Sequence, residues 1–212
     1  LRNGLGRRVQ IEDELVFPLL KSSHVAHGAS TPELAVIVPQ RSLNEDTREL
    51  RTRAPRAFRY LRAHRAQLAA RKSSIYQGRP EFSVFGVGPY SFAPWKVAIS
   101  GLYKRCTFTL VGPHGGKPVL LDDTCYFLPF EREADARAAW AALCSPLAQD
   151  FFAARIFWDD KRPIRKSLLS QLDLRALLDS LGAASHRAAD SRRERALVPA
   201  RGRGARADRA AR

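Results

Sequence analysis

The sequence predicts an α+β fold: a twisted, mostly antiparallel sheet with flanking helices, followed by a disordered basic C-terminal tail. Three observations predict it. Between Glu81 and Phe130 apolar and polar residues alternate, with Gly and Pro at the breaks, as the strands of a half-buried sheet require. On either side of that stretch apolar residues recur at helical spacing. Beyond Gly182 the composition collapses to Ala, Arg, Gly and Asp with scarcely an apolar anchor, too little to offset the entropy of ordering a chain.

Taken in order, residues 1–33 read as a linker. Leu1 to Val16 is polar with few apolar anchors, and Phe17-Pro18-Leu19-Leu20-Lys21-Ser22-Ser23 leads, with at most a short helix, into a loop rich in Ala, Gly, Ser and Pro. The folded domain is expected over residues 34–182. It opens with Leu34 to Pro39, a short β-rich apolar run bounded by turn residues, which reads as a buried strand. From Pro55 to Arg71 the residues Phe58, Leu61 and Leu68 mark the apolar face of a helix whose other faces carry arginines and His64, with Pro55 suited to a first turn. Strands are expected in the runs that begin at Phe82, Lys96, Cys106 and Pro118, with Pro113-His114-Gly115-Gly116 as a hairpin turn. Glu131 to Leu143 returns to helical periodicity, Pro146 interrupts it, Leu147 to Ile156 gives a second helix, and Ser167 to Leu181 a last one. Residues 183–212 form the tail.

A net charge of +15 gives the surface a field that attracts polyanions, chiefly nucleic acid. Nine arginines against Asp190, Glu194 and Asp208 put +6 in the tail and leave +9 on residues 1–182, so the folded part is basic on its own. No stretch has the apolar core of a signal peptide or the length to span a bilayer, which gives the expectation of a cytoplasmic protein with no membrane partner. The chain opens Leu1-Arg2-Asn3-Gly4 and contains no Met, and is expected to be a fragment. Cys106, Cys125 and Cys144 are odd in number and never in a CxxC pair, so buried small apolar residues are the expected role rather than disulfides or a zinc knuckle.

Motifs that carry chemistry are few. Gly86-Val87-Gly88-Pro89-Tyr90-Ser91 approximates GxGxxG, but Ser replaces the third Gly and a strand-like run follows where that fingerprint needs a helix. Gly112 to Lys117 is one residue too short for a phosphate-binding loop and is followed by Pro118. The five histidines lack partners at ligand spacing, and no metal is expected. Asp122-Asp123 near Lys117, or Asp159-Asp160-Lys161, reads either as a carboxylate set for a divalent metal in a restriction endonuclease subunit or as turn caps. Amino-methylating DNA enzymes need an Asn- or Asp-Pro-Pro-aromatic loop to hold the flipped base, and this sequence contains no Pro-Pro dipeptide. No catalytic residue is assigned. What remains is basic residues interleaved with aromatics and serines: Arg71, Lys72, Ser73, Ser74 and Tyr76; Tyr90 and Ser91; Trp95 and Lys96; Lys104; Lys161 and Arg162. Lys and Arg neutralise phosphates and Ser donates to them, which makes these the candidate DNA-binding residues. The competing reading puts Trp95 and the other aromatics in the core, with lysines solvating an outer face. A non-enzymatic nucleic-acid binder acting through the tail is a further alternative.

The run Arg71 to Tyr76, then Phe82 to Lys104, resembles the C-terminal target-recognition (specificity) region of adenine-specific DNA methyltransferases of restriction-modification systems, of Type II or IIG style. Leu121 to Leu128 and Phe157 to Ile164 resemble that family's later blocks in the same order, so the resemblance covers roughly Leu15 to Leu178. It implies a domain that reads double-stranded DNA for a partner N-terminal methyltransferase domain missing from this sequence. S-adenosylmethionine is expected in that missing domain and no cofactor in this chain.

Overall fold

The structure, a computed structural model, describes residues 1–183; the expected disordered tail lies from residue 184 onward outside the described residues. Two three-stranded sheets are joined by helices in an α+β arrangement. The first holds β1 (Val16–Leu20), β2 (Leu34–Ile37) and β5 (Leu120–Leu121), with β1 in the centre, antiparallel to β2 and parallel to β5. The second holds β3 (Trp95–Ser100) between β4 (Phe108–Val111) and β6 (Cys125–Phe130), both antiparallel to it.

Strand β3 supplies the middle of the molecule because both of its faces are covered. Val97 and Ile99 point toward α5 (Glu133–Leu143) and α6 (Pro146–Ala153), where they pack with Ala139, Leu143 and Phe152. Ala98 points the other way, into a cluster with Leu20 of β1, Val25 of α1 (Ser22–Ala26), Val111 and Val119. Period-2 alternation thus serves two apolar layers rather than a core and solvent. Pro146 does interrupt the helical pattern, as the first-turn residue of α6, with the Ser145 hydroxyl accepting from the Ala148 amide as its cap.

Several elements differ from expectation. The segment Val16–Leu20, expected to lie within a linker, is a central strand; the short helix allowed for there is Ser22–Ala26, buried on Val25 and Ala26. Residues 82–88 form no strand. Phe82 and Gly86 sit at φ +69° and +73°, outside the strand region, and the backbone of Val84 pairs with the Gln40 side chain, whose Nε2 donates to the Val84 carbonyl and whose Oε1 accepts from its amide. The run Pro118 to Leu128 is cut by the Asp122 turn into β5 and β6, which belong to different sheets. Pro113–Gly116 does make a tight turn, with Gly115 and Gly116 at positive φ and His114 bridged to Lys117, but the strands it joins never pair. The helix expected over 55–71 breaks at His64 into α3 (Pro55–Ala63) and α4 (Arg65–Ala69), preceded by α2 (Leu50–Arg53). The last expected helix is α7 (Lys166–Leu169) followed, after a turn, by helical residues 174–183. Cys125 is buried, but Cys106 is half-buried and Cys144 exposed, so the third cysteine is no core residue. No described helix is long and apolar enough to cross a membrane.

Helix α3 has no capping side chain at Ala54 and takes one from a distance: the Glu12 carboxylate accepts from the Arg56 and Ala57 amides, both at 2.8 Å. Burial alone raises the Glu12 pKa, but these amide bonds outweigh it and hold the group below the ordinary glutamate value. A native pKa below the unfolded one stabilises the fold at neutral pH and is lost as pH falls from the usual glutamate range through the native value. Glu12→Ala is therefore expected to cost about 1 kcal/mol in urea denaturation at pH 7, as cap removals do. The difference should narrow on acidification, and equal stability at pH 7 would rule the cap out.

Candidate nucleic-acid interface

Helices α2 to α4 present their arginines to solvent because their apolar face is fully used: Leu50, Ala54, Ala57 and Leu61 pack with Leu15 and Phe82. Arg56, Arg59 and Arg62 follow at three-residue intervals along α3, each exposed. The stripe is legible in the sequence, beyond the basic character of the helix, since the spacing keeps the three on one side.

Beyond α4 the chain turns into the Arg71 to Tyr76 segment. Arg71 is committed to this turn: its Nε donates to the Leu68 carbonyl, Nη1 to the Ser83 carbonyl, and its guanidinium lies 3.7 Å from the centre of the Tyr76 ring. It therefore shapes the site, and the groups left facing solvent are Lys72, Ser73 and Ser74. Arg79 reaches Asn44 Oδ1 at 2.6 Å, and Arg65 pairs with Glu81 across an exposed gap of 2.6 Å. Together Arg65, Arg71, Lys72, Tyr76 and Arg79 line a cleft of about 370 Å³ whose only carboxylate is Glu81. One acid against four cations gives a concave surface suited to phosphate oxygens.

The chain reverses at Phe82, a bulky residue held at positive φ by burial against Phe58 and α3. It then builds a second cleft of about 570 Å³ between the two sheets, lined by Tyr76, Phe85, Tyr90, Asp123, Tyr126, Phe127 and Lys166 among others. Tyr90, 49% exposed, is the only 90s candidate that keeps a solvent-facing surface of this size. Ser91 is buried, its hydroxyl donating to the Gly86 carbonyl and accepting from the Gly88 amide, so it holds a turn and is not available to DNA. Trp95 is half-buried against Gly112.

Lys96 is a correction of a different kind. It is 1% exposed, with its ammonium donating to the Ala93 carbonyl at 2.5 Å and lying 5.9 Å from the Phe127 ring centre. Burial pushes its pKa down to about 8, partly opposed by the charge of Glu131. A lysine so enclosed reaches no phosphate. Lys104 is exposed in the loop after β3, and Lys161 and Arg162 are exposed in the turn before Ile164, whose carbonyl abuts Gly101 in that same loop.

Two of the four carboxylates read as possible metal ligands, Asp122 and Asp160, are engaged in local hydrogen bonds instead. Asp122 accepts from the Ser22 amide, the Thr124 amide and the Thr124 hydroxyl, while Asp160 is bonded to Arg165. Among the described residues no three His, Cys, Asp or Glu side chains are grouped to hold a metal ion. The GxGxxG-like segment leads into a 3-10 turn over Pro89–Phe92 rather than the long helix that fingerprint needs, and the Tyr90 ring fills the space over Gly88.

No family model matches the chain. It is 48% identical over 176 residues to the Type II methyltransferase M.NspV of Nostoc sp.; the alignment takes in 82% of this chain and 37% of that protein. The chain is thus a homologue of part of a Type II methyltransferase, and spans well under half the length of the relative it matches.

Proposed function

We propose that this chain reads double-stranded DNA for an adenine-N6 methyltransferase of a restriction-modification system. The observation that carries the reading is the exposed basic cleft of Arg65, Lys72 and Arg79 beside the arginine stripe of α3, in a chain homologous to part of a Type II methyltransferase. Arg56, Arg59, Arg62, Lys72 and Arg79 neutralise phosphates and set the register of the duplex; Ser73 and Ser74 donate to phosphate or base edges; Tyr76 offers a ring flanked by the Arg71 guanidinium. Methyl transfer belongs to sequence outside this chain. No Pro-Pro-aromatic loop is present to hold a flipped adenine, so no chemical step is assigned to these residues.

Selection of the chain against a randomised duplex pool at about 0.15 M salt, where exposed charges are partly screened, tests the proposal. Enrichment of a defined motif is expected. Retention of DNA without enrichment would reduce the chain to a basic binder and sink the sequence-reading role.

A further inference from the structure

The basic cleft and the inter-sheet cleft meet at one residue, because the Tyr76 ring lines both. The two clefts are therefore contiguous, close enough for one nucleic-acid strand to touch both.

The mouth of the inter-sheet cleft is built around a fixed aromatic platform. The Tyr90 ring lies so close over Gly88 that any Cβ there would collide with it, and its hydroxyl donates to the Gly86 carbonyl at 2.9 Å. The ring is tilted against Phe127, 5.8 Å between centres, and Phe85 on the same cleft is 41% exposed. Exposed rings locked in place before a ligand arrives lose little freedom when one stacks on them. The polar groups at the cleft also differ from those of the first. Asp123 is exposed and makes no hydrogen bond or ion pair among the described residues, while its neighbour Asp122 is fully committed to the turn. A carboxylate accepts only, so it selects donors, and Lys166 adds a cation to the same lining.

Resting on the DNA-reading proposal, we infer that this cleft takes an unstacked nucleobase that carries an exocyclic amino group. The base stacks on Tyr90 and Phe85, its amino group donates to Asp123, and Lys166 faces the phosphate of the same nucleotide. The cleft volume of about 570 Å³ falls within the range of small-ligand sites.

Titrating the full chain into two labelled duplexes of one sequence, one fully paired and one with a single unpaired adenine, tests this. The bulged duplex is expected to bind about tenfold more tightly, the scale of stacking one base on an aromatic side chain. Tyr90→Ala should bring the ratio of the two affinities to about one, whatever it does to binding of the paired duplex, and Tyr90→Phe, which keeps the ring, should retain the preference. Asp123→Asn should shrink the advantage of an unpaired adenine over an unpaired thymine. Equal affinity of the unaltered protein for both duplexes, or a preference that survives Tyr90→Ala, overturns the inference while leaving duplex reading intact. Binding to neither duplex would instead remove the DNA-reading proposal and this inference with it.

Discussion

Truncating Phe152 to alanine is expected to cost about 4 kcal/mol of folding stability, the usual scale for emptying a fully buried phenylalanine site. Phe152 is 1% exposed on α6 and packs with Val97 and Ile99 of β3, 5.6 Å between ring centres from Phe108 of β4 and 5.5 Å from Phe151. It joins a helix to two strands, so no single neighbour can move to fill its volume without disturbing the sheet. A domain of this size has about 5–15 kcal/mol in total, and the variant should lose a large part of it. The measurement is the midpoint and slope of urea unfolding. A loss below about 1.5 kcal/mol would mean that the site collapses easily and that α6 is not docked on the sheet as described.

The second large effect has the opposite sign. Lys96→Met is expected to stabilise the protein at pH 7 by about 2 kcal/mol. The native pKa of Lys96 lies near 8 against an ordinary value of 10.5, a difference that corresponds to about 3 kcal/mol of unfavourable burial of the charged form. Losing the hydrogen bond to the Ala93 carbonyl returns about 1 kcal/mol of that gain. A native pKa lowered below the unfolded one means that the unfolded chain holds more protons between the two values, so the unaltered protein gains stability as pH rises from about 8 to 10.5. The advantage of the Met variant is therefore full below pH 8 and shrinks above it. Burial raises the pKa of Cys106 to about 11 and of Cys125 further still, and both act against Lys96 at alkaline pH. The difference between the two proteins cancels them. A Met variant no more stable than its parent at pH 7 would contradict the buried-charge account.

How much of this was legible in the sequence differs by element. Strand β3 was readable because its alternation is uninterrupted, yet the same alternation misplaced Lys96: with helices on one face and a second sheet on the other, neither parity points to solvent. Phe82 to Gly88 imitates a strand in composition, but Gln40, more than forty positions earlier, supplies the pairing, which no local pattern records. Strand β1 was missed because Pro18 and the short apolar run argue against a central strand, and one of its partners lies a hundred positions away. The Arg71 to Tyr76 segment was found through its charge, although the most conspicuous cation in it turns out to brace the turn. Asp123 is conspicuous in the sequence only as half of an Asp pair; that it lines one cleft with Phe85 and Tyr90 emerges only from the fold, which brings the turn between β5 and β6 to that segment.

The parallel pairing of β1 with β5 also sets an order of events as the chain folds. Leu19 and Leu20 register with Leu120 and Leu121, so this seam closes a loop of about one hundred residues, whereas β2 follows β1 by only a short connection. Closure of so long a loop is entropically slow. On a ribosome, β1 and β2 can form a ribbon early, with one edge of β1 bare until the Asp122 turn has emerged. That turn then fastens the seam from both ends, since Asp122 accepts from the Ser22 amide just past β1 and starts β6 through Thr124. The inter-sheet cleft is consequently among the last features to appear, and nascent chains that stop short of residue 121 would expose an unpaired apolar edge prone to association.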